Sequence, residues 1–184
     1  MKQLPAAGLL VAFGAMLTLP FARDSAAGPP YSESPGIFTE VAWPFLLDQW
    51  GTGRAFRCPR CGTDLTLYVR AKVGFCNCTT GVADDVEIDR VADFDLFPGH
   101  VTPLGPGQPV TVAWMKGRVR AFQVNGPVGP RHYLVTIALS NKCDGVIATV
   151  ASSEPISPDT GQAAMEQLAS RTILGWVEAS TGLQ

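Results

Sequence analysis

The sequence predicts an α+β fold in which an antiparallel sheet is covered by one C-terminal amphipathic helix. Residues 109–151 contain short apolar runs separated by tight turn signals, which is typical of an antiparallel meander. Residues 157–182 then carry apolar side chains at helical spacing. Before both, residues 54–80 hold four of the five cysteines around an alternating segment, which predicts a cysteine-stapled N-terminal β-hairpin region.

The first residues resemble a secretory signal peptide. Lys2 supplies a positive start, residues 4–22 carry no charge, and the small residues Ser25-Ala26-Ala27 follow where a signal peptidase would cut. We therefore expect residues 1–27 to be removed and the mature protein to be periplasmic or secreted. The alternative is that residues 4–22 are retained as an N-terminal membrane anchor, because a run of this length can just span a bilayer.

The mature chain would consist of a Pro/Gly/Ser-rich flexible linker, residues 28–40, and a single α+β domain, residues 41–184. Cleavage removes two of the 14 basic residues and one of the 16 acidic residues, which leaves a net charge of −3 and no basic block. Nucleic acid is therefore not an expected partner. No later segment is apolar over enough residues to insert into a membrane after cleavage.

An aromatic run, Trp43-Pro44-Phe45-Leu46-Leu47-Asp48-Gln49-Trp50, opens the domain. Two interpretations are open for its rings. Trp43, Phe45 and Trp50 could pack onto the main body of the domain. They could instead form a docking patch for a partner or ligand.

Between the cysteines, apolar and polar residues alternate from Leu65 to Phe75, so this segment is expected to be extended with one face buried. It would form one strand, or two strands that turn near residues 71–74. Residues 80–98 follow and are rich in aspartate with apolar residues between. They lack the ligand register of a calcium loop, so we expect a solvated face with apolar anchors.

Disulfide bonds are the first of three chemistries that the clustered cysteines could support. Exported thiols tend to pair, and cross-links between Cys58 or Cys61 and Cys76 or Cys78 would clip together the ends of the strand region. Each such loop of about 15 residues could stabilise the fold by about 3 kcal/mol. The spacing does not choose among the three possible pairings. Cys143, the fifth cysteine, lies between two apolar strands, and we expect a buried, unreactive thiol. The alternatives are an intermolecular bridge or a disulfide with one of the other four cysteines.

Metal binding and thiol redox chemistry are the alternatives. The segment Cys58-Pro59-Arg60-Cys61-Gly62 resembles a zinc-ribbon knuckle, and thiolates from Cys76-Asn77-Cys78 would complete a tetrahedral site, although this second pair is one residue tighter than usual. Copper(I) would also suit four sulfur ligands. Cys-Pro-Arg-Cys further has the form of thiol–disulfide oxidoreductase motifs. Those motifs open a helix, however, whereas an alternating strand follows here.

The rest of the chain predicts the meander and the helix. Strands are expected at residues 110–114, 119–124, 132–140 and 145–151. Turns are expected at Lys116-Gly117 and at residues 141–144. Ser157 is the expected N-cap of the helix, Pro158 its first residue and Gly182 its end. Its apolar stripe comprises Met165, Leu168, Ala169, Thr172, Ile173 and Trp176.

No familiar catalytic motif occurs in the sequence. It contains no nucleophile elbow, zinc-protease helix or nucleotide loop, and neither His100 nor His132 lies beside a nucleophile. We therefore favour a binding protein over an enzyme of unrecognised type.

Several short segments together resemble uncharacterised exported proteins of Gram-negative bacteria. They are Trp43-Pro44-Phe45, Asp48-Gln49-Trp50-Gly51, Arg57-Cys58, Phe75-Cys76-Asn77-Cys78 and Lys142-Cys143-Asp144. The resemblance implies the compartment and no activity. Our sequence-based hypothesis is a non-enzymatic binding or envelope-assembly protein, with an envelope protein as partner and no cofactor. The alternative is a periplasmic zinc, copper or thiol-redox protein that uses Cys58, Cys61, Cys76 and Cys78.

Overall fold

A computed structural model describes residues 37–61, 65–126 and 131–181 of the chain. The expected signal peptide, residues 1–27, and the predicted helix end at Gly182 lie outside these ranges. The elements are β1 (Thr39–Val41), β2 (Arg54–Arg57), β3 (Thr66–Lys72), α1 (Asp85–Val91), a 3₁₀ turn (Phe94–Leu96), β4 (His100–Pro103), β5 (Gln108–Val112), β6 (Met115–Asn125), β7 (His132–Asn141), β8 (Asp144–Ser152), α2 (Pro158–Leu168) and α3 (Arg171–Thr181). None of the helices in the described ranges has the length and hydropathy of a membrane span.

The strands form one antiparallel sheet, which confirms the predicted α+β class. Its order is β1-β2-β3-β8-β7-β6-β4, and β5 pairs with the beginning of β6. Because β6 has 11 residues, its outer edge holds β5 at one end and β4 at the other. Strand β1 begins at Thr39, inside the range assigned above to the linker.

The meander from β5 to β8 follows the predicted strands, but its first turn was placed wrongly. The chain turns at Ala113, which has a φ of +53°, and Gly117 lies within β6. A side chain at residue 117 would collide with the backbone carbonyl of Ala138 on β7, so glycine is required by the close approach of the strands. The expected turn between β7 and β8 is present, with Lys142 at a φ of +56°.

Helices α2 and α3 cover one face of the sheet. Their buried residues, including Leu168, Ile173 and Val177, pack with Val69 and Ile137 of the strands. The expectation of a single helix was wrong, because the chain forms two helices that meet at Ser170. The Ser170 hydroxyl accepts a hydrogen bond from the Ile173 backbone N–H at 3.4 Å and so begins a second helix. The predicted start is confirmed, since the Ser157 side chain caps α2 and Pro158 is its first residue.

Helix α1 covers the opposite face. Its Ile88 and Val91 are fully buried against Ala138 of β7 and Ile147 of β8. Asp84 caps the helix by accepting a hydrogen bond from the Glu87 N–H. No helix was predicted here, because only seven residues are helical and the aspartates obscure a short apolar spacing.

The disulfides differ from the expected cross-links. Cys58 is bonded to Cys61, Cys78 is bonded to Cys143, and Cys76 is a free, buried cysteine. The two clusters lie at opposite ends of β3, which spans roughly 20 Å, so no bond can join them. The expectation that Cys143 is a free thiol was also wrong. The turn between β7 and β8 places it beside Cys76, whose N–H donates to the Cys143 carbonyl at 3.0 Å.

The two disulfides are expected to contribute unequally to stability. Cys78–Cys143 closes a sequence separation of 65 residues and Cys58–Cys61 a separation of three. Loop-closure entropy gives about 4 kcal/mol for the first and about 2 kcal/mol for the second. We predict that replacing Cys78 and Cys143 together by serine lowers the free energy of unfolding by about twice as much as replacing Cys58 and Cys61. Urea unfolding measures both losses, and an equal or reversed order would contradict the prediction.

Cys76 should be the single free thiol, and it should be unreactive in the folded protein. Burial raises its pKa to about 11, so the nucleophilic thiolate is scarce at neutral pH. We predict little alkylation by iodoacetamide at pH 8 in the native state and one alkylated thiol per chain after denaturation without reductant. Peptide mapping identifies the site. Alkylation at Cys143 instead of Cys76 would refute the pairing described above.

Candidate functional site

A cleft of about 420 Å³ opens on the α1 side of the sheet, at the ends of β3, β7 and β8. The pleat of β3 directs Thr66 and Tyr68 to this side, while Leu67 and Val69 point to α2 and α3. The residues that line the cleft are Phe45, Arg57, Thr66, Tyr68, Leu96, Phe97, Pro98, Gly126, His132, Ala151, Ser152 and Ser153.

One wall of the cleft is aromatic. The ring of Phe45 lies 4.9 Å from that of Tyr68 and 6.0 Å from that of Phe97, and the rings of Tyr68 and Phe97 are 5.9 Å apart. All three pairs are edge-on or tilted, which is the arrangement that favours aromatic contacts. The three rings therefore form a preassembled apolar surface.

The polar groups of the cleft are cationic or neutral. Arg57 is exposed, lines the cleft and forms no salt bridge within the described ranges. His132, Thr66 and Ser152 also line it, and none of the lining residues carries a carboxylate. Burial raises the pKa of Tyr68, although a hydrogen bond with Thr66 and the charge of Arg57 oppose the rise. Tyr68 therefore offers a neutral phenol at physiological pH, and the cleft is suited to an acceptor or an anion.

Further along β3, the same side of the strand carries two buried cations. Arg70 is 1% exposed and Lys72 is 3% exposed. Nη1 of Arg70 donates to Oδ2 of Asp48 at 2.7 Å, and Nζ of Lys72 lies 2.8 Å from Oδ1 of Asp93. Nζ of Lys72 also donates to the backbone carbonyl of Val91 at 2.8 Å. Charges are buried only at a large desolvation cost, so each cation needs these partners.

Residues 43–50, here called the aromatic segment, cover these cations. The ring of Trp43 lies 5.1 Å from the Arg70 guanidinium carbon, and that of Trp50 lies 5.4 Å from Nζ of Lys72. Both distances are within the range of cation–π attraction. The aromatic segment is therefore attached to β3 by contacts with these two cations.

The rings of the aromatic segment, which were considered as a docking patch, contact the sheet. Trp43, Phe45 and Trp50 are half-buried, and Trp50 also packs on Phe75 with ring centroids 4.6 Å apart. The exposed apolar side chains of the segment are instead Leu46, at 90% exposure, and Leu47, at 73%.

The four clustered cysteines do not come together. Cys58 and Cys61 follow β2, whereas Cys76 and Cys78 lie beyond the other end of β3. Within the described ranges, no group of three or more His, Cys, Asp or Glu side chains is arranged to hold a metal ion.

Sequence reasoning missed the residues that the structure brings together. It treated Arg70 and Lys72 as polar residues on the open face of a half-buried strand, and this was wrong because both faces of β3 are buried. It also placed Asp93 on a solvated face, whereas Asp93 is 4% exposed. The available signal was the pair of cations at two-residue spacing, in register with Tyr68. Nothing in the local pattern showed that α1 and the aromatic segment would cover them.

No protein-family model matches the chain, and no curated protein is similar to it in sequence.

The ionisation of Asp93 gives a test of the buried charges. Burial raises its pKa above the ordinary value of 3.8, and this effect exceeds the opposing effect of Lys72 and Arg70. Its contribution to stability is therefore complete below pH 3.8 and is lost as the pH rises through the folded-state pKa. We predict that Asp93→Asn gains stability relative to the unchanged protein across this window.

The measurement is the free energy of unfolding in urea at pH values from 3 to 7, compared between the two proteins. A constant offset between them would reflect lost contacts and is irrelevant to the test, because only the dependence on pH is predicted. If Asp93→Asn loses stability relative to the unchanged protein as the pH rises, then Lys72 and Arg70 lower the pKa of Asp93 and the prediction is wrong.

Proposed function

We propose that the protein is an exported, non-enzymatic binding protein whose cleft takes a small amphipathic anion. The two disulfides fit an oxidising, non-cytoplasmic location. The signal-peptide pattern of residues 1–27 supports a periplasmic or secreted protein more specifically. The observation that carries the proposal is the pairing of an aromatic wall with Arg57, a cation that forms no salt bridge within the described ranges.

The composition of the cleft defines the class of ligand. The rings of Phe45, Tyr68 and Phe97 require an apolar or aromatic body. The charge of Arg57 and the imidazole of His132 favour an anionic group, and the absence of lining carboxylates removes repulsion. A volume of about 420 Å³ is that of a small-molecule site. A small molecule with an aromatic or apolar body and one acidic group meets these requirements.

The polar groups of the cleft support binding rather than covalent catalysis. Oγ of Ser152 accepts a hydrogen bond from the Glu154 backbone N–H at 3.0 Å. His132 shares no hydrogen bond with Ser152 or Ser153 in the described part of the chain, so no serine is paired with a base. The hydroxyls are instead placed to donate to or accept from a bound molecule.

The fluorescent anion 8-anilinonaphthalene-1-sulfonate tests the proposal, because it combines aromatic rings with one acidic group. We predict saturable binding to the folded protein. Arg57→Gln should weaken the affinity about tenfold, which corresponds to the loss of one charge-assisted hydrogen bond. Titration of the fluorescence at fixed ionic strength measures both dissociation constants.

Arg60→Gln is the matched control. Arg60 is an exposed arginine on the turn that follows Arg57, but it does not line the cleft. Its replacement removes the same charge from the same region and should leave the affinity unchanged. Equal weakening by both substitutions would show a general electrostatic effect and would reject the cleft as the site. Unchanged circular dichroism of each variant confirms that the probe reports on folded protein.

A further inference from the structure

The buried side chain of Arg70 has hydrogen-bond donors that lack a partner in the described part of the chain. Arg70 is 1% exposed, yet its Nε and Nη2 have no hydrogen-bond partner among the described residues. Both neighbouring carboxylates approach the other nitrogen, since Nη1 lies 2.7 Å from Oδ2 of Asp48 and 3.5 Å from Oδ1 of Asp93. The indole Nε1 of Trp43, whose ring lies on the guanidinium, is also buried and has no partner in residues 37–61, 65–126 and 131–181. Buried donors are almost always paired, so these three require an acceptor.

The unpaired edge of Arg70 is the one that binds planar oxyanions. Nε and Nη2 point in parallel and match the two oxygens of a carboxylate. In Arg54 the same edge binds a carboxylate. Its Nε donates to Oε1 of Glu40 at 2.8 Å, and its Nη2 donates to Oε2 at 2.5 Å. At Arg70 the equivalent edge faces no carboxylate in the described part of the chain.

The neighbouring charges leave Arg70 as the group available to a ligand. Lys72 is already engaged by Asp93 and by the carbonyl of Val91. Asp48, the carboxylate paired with Arg70, belongs to the aromatic segment and not to the sheet, and 31% of its side chain is exposed. The buried atoms without a hydrogen-bond partner in the described part of the chain are these three donors and Oδ1 of Asp93. That oxygen lies 2.8 Å from Nζ of Lys72, so the three donors remain for an acceptor with two oxygens.

We propose that Nε and Nη2 of Arg70 and Nε1 of Trp43 form a binding site for the carboxylate of a small molecule beneath the aromatic segment. The ligand is small because Arg70 is covered, so that a larger partner would have to displace the whole segment. The site is separate from the cleft, and its failure would leave the proposed function unaffected.

The aromatic segment is attached to the rest of the domain through a few of its side chains. Gly51, whose φ is +73°, directly follows the segment, and Gly53 comes two residues later. A side chain at residue 53 would lie 2.6 Å from the Trp43 ring, so glycine lets this ring lie directly against the sheet. Leu46 and Leu47 are exposed and do not attach the segment to the core. The attachments are Trp43, Phe45, Asp48 and Trp50.

Titration of the protein with sodium acetate, against sodium chloride at equal ionic strength, tests the site by ¹H–¹⁵N nuclear magnetic resonance. The indole resonance of Trp43 is assigned by its loss in Trp43→Phe, and the Nε resonance of Arg70 by its loss in Arg70→Lys. We expect both resonances to shift saturably with acetate and not with chloride. An ordered water on the three donors would give no saturable shift with acetate, and that result would overturn the proposal.

Two matched substitutions locate the donors. Trp43→Phe keeps an aromatic ring over Arg70 but deletes Nε1, so acetate should bind about three- to tenfold more weakly. Trp50→Phe makes the same change over Lys72 and should leave the acetate affinity unchanged. Arg70→Lys keeps the charge but not the paired edge, and should weaken binding at least tenfold. If Arg70→Lys does not fold, the two tryptophan variants decide alone, and equal affinities in them would overturn the proposal.

Discussion

The buried cations of β3 are the constraint on which this side of the molecule depends. Arg70 and Lys72 are almost inaccessible to solvent, and burial of an unpaired charge costs several kcal/mol. The chain must therefore bring carboxylates to them from elsewhere. Asp93 arrives just after α1, and Asp48 arrives on the aromatic segment. The docking of both elements is thus coupled to one strand, while the other face of β3 is apolar and packs in the ordinary way under α2 and α3.

The disulfide Cys78–Cys143 also restricts the position of α1. It joins the loop after β3 to the turn between β7 and β8, and this loop leads directly into α1. Helix α1 has only seven residues and cannot be stable alone. It is fixed by Ile88 and Val91 in the core and by ion pairs from Asp85 to Arg118 and from Asp89 to Arg120. The covalent bond restricts where the helix can begin, and these contacts decide where it lies.

The sequence predicted the features that depend on local pattern. Strands β7 and β8 are short apolar runs joined by residues suited to a turn, and Ser157 with Pro158 is a strong helix start. Features that depend on distant parts of the chain were missed. The apolar spacing in the sequence continues across Ser170, so it does not show that the helix ends there. The disulfide partners depend on the length of β3 and on the position of the turn after β7. The cleft was not predicted, because Arg57, Tyr68 and His132 meet only through strand pairing.

The two candidate sites are separate but adjacent. Phe45 lines the cleft and also belongs to the aromatic segment, where its ring lies 5.2 Å from that of Trp43. Tyr68 contacts both rings and is two residues from Arg70 on the same side of β3. A molecule that fills the cleft therefore packs against the residue that helps to hold the cover over Arg70. Since Asp48 and the two tryptophans attach the same segment to the cations, its position is set jointly by apolar contacts at one end and by charge at the other.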